Sequence, residues 1–200
     1  MSPADSESLF ALPMKVVALL LVFVTLAVAS KCPNPAVATP FNVGDYLGIW
    51  YEIATTPTST ITFEHNCYCT RANYTLEDDG SVLVQNSCNR GGVDGQLNIA
   101  NGTAIVPDPT VPAKLSVTFG GEFYAPYWVI INDNYESAVV WSCTNIGLSQ
   151  VDYMWVLSRS PTMSTHEYQA LTEQAAQMTG YDINRLKLTT QQGCTYPTHT

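Results

Sequence analysis

The sequence predicts an all-β domain of eight short antiparallel strands, followed by a single α-helix. Runs rich in β-branched and aromatic residues recur at a spacing of about ten residues, and turn-forming residues such as Asp78-Asp79-Gly80 separate them. A helical pattern of apolar residues occurs only after the last of these runs. Strands arranged in this way form either a closed barrel or a two-sheet sandwich.

The first predicted strand contains a distinctive segment, Gly48-Ile49-Trp50-Tyr51-Glu52. Glycine admits a close approach of the backbone, and Trp, Tyr and Ile favour a half-buried pleated surface. A proline-rich arm, Cys32 to Pro40, precedes this strand, and a polar, threonine-rich loop, Thr55 to Asn66, follows it. The predicted strands are Tyr46–Ile53, Tyr68–Glu77, Ser81–Arg90, Gln96–Val106, Ala113–Phe119, Tyr127–Asn132, Ala138–Cys143 and Val151–Ser158.

One helix is predicted over residues 165–178. Ser164-Thr165-His166-Glu167 has the pattern of a capping box, and Gly180 is a C-terminal stop. Since this is the one helix after eight strands, it should cover the outside of the sheet. Leu186 to Thr190 can add a short ninth strand. The apolar stripe that faces the sheet consists of Tyr168, Leu171, Ala175 and Met178.

Residues 1–30 are predicted to be a secretory signal peptide. Lys15 precedes an apolar run, Val16 to Val28, and the small residues Ala29 and Ser30 form a cleavage site. The run is too short for a membrane-spanning helix, so stable membrane insertion is not expected. Residues 31–200 then form one domain, with the strands over 46–158 and the C-terminal strand and tail over 185–200.

Cysteines, sequons and charge predict a secreted, extracellular protein. The chain has six cysteines but no Cys-x-x-Cys pair, which favours disulfides over a zinc or redox site. Asn73 and Asn101 begin N-x-[ST] sequons and are predicted glycosylation sites. The formal net charge is −9 without a basic patch, which argues against nucleic acid as a partner. No metal-ligand cluster, catalytic triad or cofactor motif is visible.

Alternation along the strands predicts which side chains face inward. If Asn73 is glycosylated it faces outward, so Tyr74 faces inward, opposite Val84 across the hairpin. Asn86 and Arg90 then share the inner face of the third strand. A packed core rarely buries an arginine, whereas a cup with an open mouth can hold one at its rim. In the eighth strand the inner face carries Tyr153, Trp155 and Leu157, while Met154 and Val156 face the helix.

Three motifs in order resemble the lipocalin family. Gly48-Ile49-Trp50 is similar to its G-x-W signature, Asp133 to the Asp of its second motif, and Arg159 to the Arg of its third. Further segments resemble the apolipoprotein D-like branch, across Cys32 to about Pro197: Cys32-Pro33-Asn34-Pro35, Ala72-Asn73-Tyr74, Pro112-Ala113-Lys114-Leu115, Ala125-Pro126-Tyr127-Trp128 and Trp141-Ser142-Cys143. The resemblance implies an eight-stranded antiparallel up-and-down β-barrel with the C-terminal α-helix packed outside, wide enough for one small ligand.

The resemblance also implies structural roles for its motif residues. Trp50 and Arg159 should meet at the closed end of the barrel, where a guanidinium on an indole can also donate to backbone carbonyls. The resemblance implies that Gly48 and Asp133 also have structural roles. The second motif departs from the family pattern, since it runs Asn132-Asp133-Asn134 with Tyr135 displaced by one position. A turn should still form there, because Asx residues favour turns.

Two disulfides are implied by the resemblance, Cys32–Cys143 and Cys69–Cys194. A third bridge, Cys67–Cys88, is the default for the remaining pair. The strand register opposes it, because Cys88 shares the inner face with Asn86 unless a bulge intervenes. If it does not form, Cys88 is a free thiol in or near the cup.

The resemblance implies a secreted carrier that transports a small hydrophobic ligand: a fatty acid, steroid, retinoid, bilin or carotenoid. Apolar and aromatic walls would supply the binding energy, with a few polar groups for orientation. Arg90 would face a ligand carboxylate or be a solvated rim residue. A cell-surface receptor and self-association both stay open as further partners. The predicted ligand-binding residues are Tyr74, Asn86, Arg90 and Trp155, followed by Phe123, Tyr124, Trp128 and Tyr153.

Two alternative functions belong to other classes. The first is a lipid isomerase that uses a free, activated thiol of Cys88, the one inward-facing candidate. No histidine is an obvious base for it, since His65, His166 and His199 lie in a loop, on the helix and in the tail. The second is a pigment-binding subunit that assembles with others, which the many Thr and Tyr residues would permit.

Overall fold

The computed structural model describes residues 31–196, so the predicted signal peptide and the last four residues lie outside the described part. The predicted barrel is confirmed. Each strand pairs antiparallel with the next in sequence, and β1 pairs with both β8 and β2, which closes the sheet on itself. The strands are β1 (Gly48–Thr55), β2 (Cys67–Leu76), β3 (Val82–Arg90), β4 (Gln96–Ile105), β5 (Lys114–Thr118), β6 (Ala125–Asp133), β7 (Ser137–Ile146) and β8 (Ser149–Ser158).

A ninth strand and three α-helices complete the described chain. β9 (Lys187–Leu188) pairs with the end of β1 outside the barrel, after a 3₁₀ turn at Ile183–Arg185. The helices are α1 (Val43–Tyr46), α2 (Pro57–Ile61) and α3 (Thr165–Thr179). Within residues 31–196, no helix is long and apolar enough to cross a membrane.

The short helices correct two sequence predictions. Tyr46 belongs to α1 rather than to the first strand, because the Asn42 side chain caps the turn by accepting from the Gly44 amide at 2.8 Å. The loop predicted over Thr55 to Asn66 contains α2, which begins at Pro57, a residue suited to the first helical turn. α3 has the predicted ends: Ser164 accepts from the Glu167 amide at 3.1 Å, and Gly180 has a left-handed conformation.

Alternation along the strands creates two hydrophobic cores. The inner core fills the barrel and includes Trp50, Tyr74, Val84 and Leu157. The outer core lies between β6–β8 and α3, where Met154 and Val156 are fully buried against residues such as Leu171 and Ala175. Burying one large apolar side chain stabilises a fold by about 1.5–3 kcal/mol, so the outer core holds α3 firmly on the barrel.

Arg159 ties the first and last strands together at the closed end of the barrel. Its guanidinium lies 3.9 Å from the centre of the Trp50 ring. It donates to the carbonyl oxygens of Ile49 at 2.8 Å, Tyr135 at 3.0 Å and Asp45 at 3.1 Å. This is the contact that the family resemblance implies. Three carbonyls from three chain segments meet on one cation.

Gly48 and Asp133 lie close to this contact. Gly48 has a φ of +89°, a backbone conformation that favours glycine, whereas a Cβ there would make only an ordinary contact, 3.5 Å from Arg159 Nη1. Asp133 precedes the β6–β7 turn, where its carboxylate accepts from the Asn134 side chain at 3.1 Å. Asn134 and Tyr135 both have positive φ, which gives the tight turn expected for the altered second motif.

Three disulfides connect the chain: Cys32–Cys143, Cys69–Cys194 and Cys67–Cys88. The regular strand register opposed the Cys67–Cys88 bridge, and a bulge in β2 explains how the bridge forms. The pairing of β2 with β3 shifts between Tyr68 and Arg71, and Cys69 has a φ of 57°. The bulge leaves Cys67 beside Cys88 at the inner face. None of the cysteines in the described part of the chain is free.

Candidate functional site

The end of the barrel opposite Arg159 is built by the loops that follow β1, β3, β5 and β7. The longest of them, residues 56–66, contains α2 and is called the lid loop below. The other three are residues 91–95, 119–124 and 147–148. Loops at one end of a rigid barrel are free to vary without disturbing the core, so this open end is the natural place for a binding site.

An aromatic ladder leads from the barrel interior to the lid loop, and we define it as Tyr127, Trp155, Tyr153 and Phe63. The Tyr127 and Trp155 rings are stacked at 6.5 Å, and Trp155 and Tyr153 are stacked at 5.7 Å. Phe63 of the lid loop lies 5.5 Å from Tyr153 and 6.4 Å from Trp155. Such aromatic faces offer a large apolar surface to a ligand. Trp155 and Tyr153 were predicted ligand-binding residues, and the structure places them together.

Two side-chain contacts hold the lid loop on the barrel. The Trp155 indole donates to Glu64 Oε1 at 3.0 Å. Arg90, at the end of β3, donates to the Phe63 carbonyl at 3.0 Å and also to the His65 carbonyl. In this conformation Arg90 therefore anchors the lid loop, and its guanidinium is engaged by main-chain carbonyls instead of facing the barrel interior.

The closed half of the barrel is filled by a group of three tyrosines. The Tyr127 hydroxyl lies 2.8 Å from that of Tyr74 and 3.1 Å from that of Tyr46. Burial raises the pKa of Tyr74 to about 12, so all three stay neutral and can share hydrogen bonds. They leave a cavity of about 20 Å³, room for about one water molecule. Tyr74 therefore lies in the filled, closed half of the barrel.

Asn86 is a polar side chain on the same inner face of β3 as Val84. It is half-buried, and the residues opposite it on the neighbouring strands are the small Ala72 and Ala100. Its amide makes no hydrogen bond to residues 31–196. A free amide in this position can orient a ligand that enters from the open end.

Three predicted residues lie elsewhere. The prediction for Trp128 is wrong, because it lies on the outer face of β6, packs against the outer core, and has Lys114 Nζ 4.1 Å above its ring. Phe123 and Tyr124 belong to the β5–β6 loop, where they are 69% and 39% exposed and contact no other aromatic ring of the described chain. They lie on the rim rather than in the ladder.

Sequence reasoning missed Tyr127, Phe63 and Glu64. A signal existed for Tyr127, since Ala125, Tyr127 and Val129 alternate on the face that the inner core requires. Phe63 and Glu64 lie in a loop whose conformation depends on Arg90 and Trp155, both remote in sequence. The local sequence therefore does not predict where these two side chains lie.

Two carboxyl groups are buried near the lid loop. Glu52 of β1 is 4% exposed and Glu64 carries one buried oxygen, Oε2, without a hydrogen-bond partner in the described structure. Burial raises the pKa of both, and the charge of Glu64 raises the pKa of Glu52 further. Residues 31–196 contain no cluster of three or more His, Cys, Asp or Glu that could hold a metal ion.

Comparisons with known proteins agree with this geometry. The family model of the lipocalin-like domain matches residues 41–191. Apolipoprotein D of Cavia porcellus is 40% identical over 166 residues, which covers 82% of this chain and 84% of that protein. Apolipoprotein D of Rattus norvegicus is 38% identical over 169 residues, 84% of this chain and 85% of that protein.

Solved structures show the same fold. Insecticyanin from the tobacco hornworm Manduca sexta matches with a TM-score of 0.66 and 20% identity, over 80% of this chain and 86% of that one. Lobster apocrustacyanin A1 matches with a TM-score of 0.63 and 23% identity, over 80% and 90% of the two chains.

Proposed function

Because the chain belongs to the lipocalin family and is similar to apolipoprotein D, we propose that it is a secreted carrier of a small hydrophobic ligand. The observation that carries the proposal is the aromatic ladder from Tyr127 to Phe63. It offers stacked apolar surface that continues from the barrel interior to the open end. Fatty acids, steroids, retinoids, bilins and carotenoids are the candidate classes, since each can present an apolar body to such a surface.

Binding requires the lid loop to move. The closed half is filled by the tyrosine group, so a ligand would have to bind on the open-end side of Tyr127, against the aromatic ladder. Phe63 of the lid loop, which is 52% exposed, lies beside Trp155 on that side. Displacing the loop breaks a small number of hydrogen bonds, from Trp155 to Glu64 and from Arg90 to the loop carbonyls. Lids of this kind open on microsecond to millisecond timescales in other proteins.

Secretion is part of the proposal. Three disulfides support it, because such bonds persist in oxidising compartments. The two sequons are neighbours on the barrel surface: Asn73 pairs with Gln85, which pairs with Asn101 and donates to its side chain at 3.3 Å. Glycans at Asn73 and Asn101 would then cover one patch on the outer face of the barrel. Cleavage of a signal peptide after Ala29 or Ser30 completes the proposed route.

The test is a fluorescence titration of the purified protein with retinol. Retinol absorbs where tryptophan emits, so a ligand against the ladder quenches Trp155 most strongly. We expect Trp155→Phe to lose the largest share of the quenching, whereas Trp128→Phe, on the outer face, keeps it. Displacement of bound retinol by one member of each other class then ranks the ligands. Unchanged quenching in Trp155→Phe would remove the ladder from the binding site.

The alternative functions have less support. A lipid isomerase would need the Cys88 thiol, which is bonded to Cys67 in the structure. The pigment-binding assembly subunit and a cell-surface receptor stay predictions, and the absorption spectrum of the protein from its native source tests the first of them.

A further inference from the structure

β1 and β2 separate at the open end of the barrel. They pair only where Gly48 to Tyr51 face Arg71 to Tyr74, and further on β1 pairs with β9 instead. The C-terminal segment 187–191 crosses this gap, which we call the seam. Gln191 donates to the carbonyls of Glu52 and Thr70 at 2.7 Å each, so the tail bridges the two strands by side-chain contacts.

The seam borders a half-open cavity of about 220 Å³ that is separate from the aromatic ladder. Its wall includes two carboxyl groups and several hydroxyls, and no ladder ring lines it. The carboxyl and hydroxyl side chains that line the cavity belong to Glu52, Glu64, Thr60, Thr70, Thr189 and Thr190. This space is about ten times larger than the one beside the three tyrosines, and it holds a small organic molecule rather than a single water.

Hydrogen-bond acceptors around this cavity lack donors. Glu64 Oε2 and Thr70 Oγ1 are buried without a hydrogen-bond partner among the described residues, and Thr70 as a whole is 8% exposed. Glu52 accepts from the Thr189 hydroxyl, and its carboxyl group also lies within hydrogen-bond reach of the Glu64 carboxyl. Buried polar atoms in proteins are nearly always paired, so these acceptors point to a bound donor.

Neither Arg90 nor Lys187 forms an ion pair with the carboxyl groups of Glu52 and Glu64 among the described residues. Arg90 attracts the charge of Glu64, but its donors bind the carbonyls of Phe63 and His65. Lys187 lines the cavity, is exposed, and makes no salt bridge within residues 31–196. Other titratable groups around the seam are Tyr68, which also lines the cavity, and the exposed His65.

We propose that the seam cavity is a second binding site that takes a small primary ammonium compound. The ammonium group has three donors, which match one oxygen each from Glu52, Glu64 and Thr70. Hydrogen bonds from a cation to a carboxylate are about twice as strong as neutral ones. A quaternary ammonium has no donor to offer, and a metal ion would need a third acidic or imidazole ligand that the cavity lacks.

Proton linkage gives the site a pH dependence. Burial, and for Glu52 also the charge of Glu64, raises the pKa of both carboxyls, so the empty site holds protons above the usual carboxyl range. An ammonium ion has to displace them. Its affinity should therefore rise as pH increases from about 4.5 towards neutral.

Isothermal titration calorimetry with phenethylamine tests the proposal, with 2-phenylethanol as the neutral control of the same shape. We expect the amine to bind at least about tenfold more tightly than the alcohol near neutral pH. Glu52→Gln and Thr70→Val should each weaken the amine, the former by about tenfold or more, whereas Glu77→Gln, an exposed residue at the closed end, should not.

Retinol quenching measured on the same variants separates this inference from the proposed carrier function. A Glu52→Gln protein that still quenches is folded and has an intact ladder. Absence of amine binding to the unaltered protein, equal binding of amine and alcohol, or unchanged amine affinity in Glu52→Gln would each overturn the ammonium site. In those cases normal retinol quenching would leave the carrier function standing.

Discussion

The two ends of the barrel differ in how their contacts are completed. At the closed end Arg159 contacts the Trp50 ring and donates to three carbonyls from different segments. At the open end the lid loop is held by one hydrogen bond from Trp155 and two from Arg90, and Glu64 Oε2 is buried without a hydrogen-bond partner among the described residues. The Arg159 guanidinium at the closed end has its hydrogen-bond partners, whereas the open end has exposed aromatic surface and a buried acceptor without a donor in the described chain. The family-signature residues Gly48, Trp50 and Arg159 therefore lie at the end of the barrel where the contacts of Arg159 are complete.

The largest effect should come from the closed end. Arg159→Lys loses the planar fork that reaches Ile49, Tyr135 and Asp45 and most of the stacking on Trp50. We expect the free energy of unfolding to fall by about 2–3 kcal/mol, as measured by chemical denaturation. Arg185→Lys is the matched control: Arg185 is exposed, lies 5.7 Å from the Tyr181 ring, and should change stability by less than about 0.5 kcal/mol. Equal effects at the two positions would contradict a special role for Arg159.

Gly48 offers a second test of the closed end. Alanine there would have to adopt a φ of +89° with its Cβ 3.5 Å from Arg159 Nη1. We expect Gly48→Ala to cost about 1–2 kcal/mol in thermal or chemical denaturation. Gly92→Ala, at the open end with free space and no positive φ, should stay within about 0.5 kcal/mol. If both variants unfold alike, the positive φ of Gly48 does not require glycine for stability.

Glu64→Gln tests the open end through pH. Because the folded-state pKa of Glu64 is raised, its contribution to stability is fully present below about pH 4.5 and declines as pH rises towards the folded pKa. Glutamine keeps the acceptor for Trp155 without this loss. Thermal melting should thus show the variant equal to the unaltered protein at low pH and more stable near neutral pH, by about 1 kcal/mol. A difference that does not vary with pH would mean that Glu64 does not hold its proton.

The smallest effects should come from the rim. Phe123→Ser removes a ring that is 69% exposed and contacts no other ring of the described chain. Stability should change by less than about 0.5 kcal/mol, and retinol affinity should stay within about twofold. A loss of affinity comparable to that of a ladder variant would extend the binding site to the rim.

The same contrast explains what sequence reasoning could reach. The contact between Trp50 and Arg159 could be predicted because the motif residues resemble those of the lipocalin family, and a guanidinium stacks well on an indole. Tyr127 could have been predicted from the alternation of residues along β6, whereas Trp128 lies on the opposite, outer face of that strand. The Cys67–Cys88 bridge depends on a bulge at Cys69, and no glycine or other turn-forming residue at that position predicts the bulge. The seam forms because the C-terminal segment from residue 187 pairs with the end of β1. The two segments are far apart in sequence, so no local pattern predicts this contact.

Hydrogen exchange followed by mass spectrometry, on the protein free and saturated with retinol, tests whether the ligand binds at the open end. We expect slower exchange on binding in the lid loop, residues 56–66, and in the open-end half of β8, with no change around Gly48 and Arg159. The free protein should already exchange slowly at that closed end. Protection that appears at the closed end, or under α3, while the lid loop is unchanged would contradict the assignment of binding to the open end.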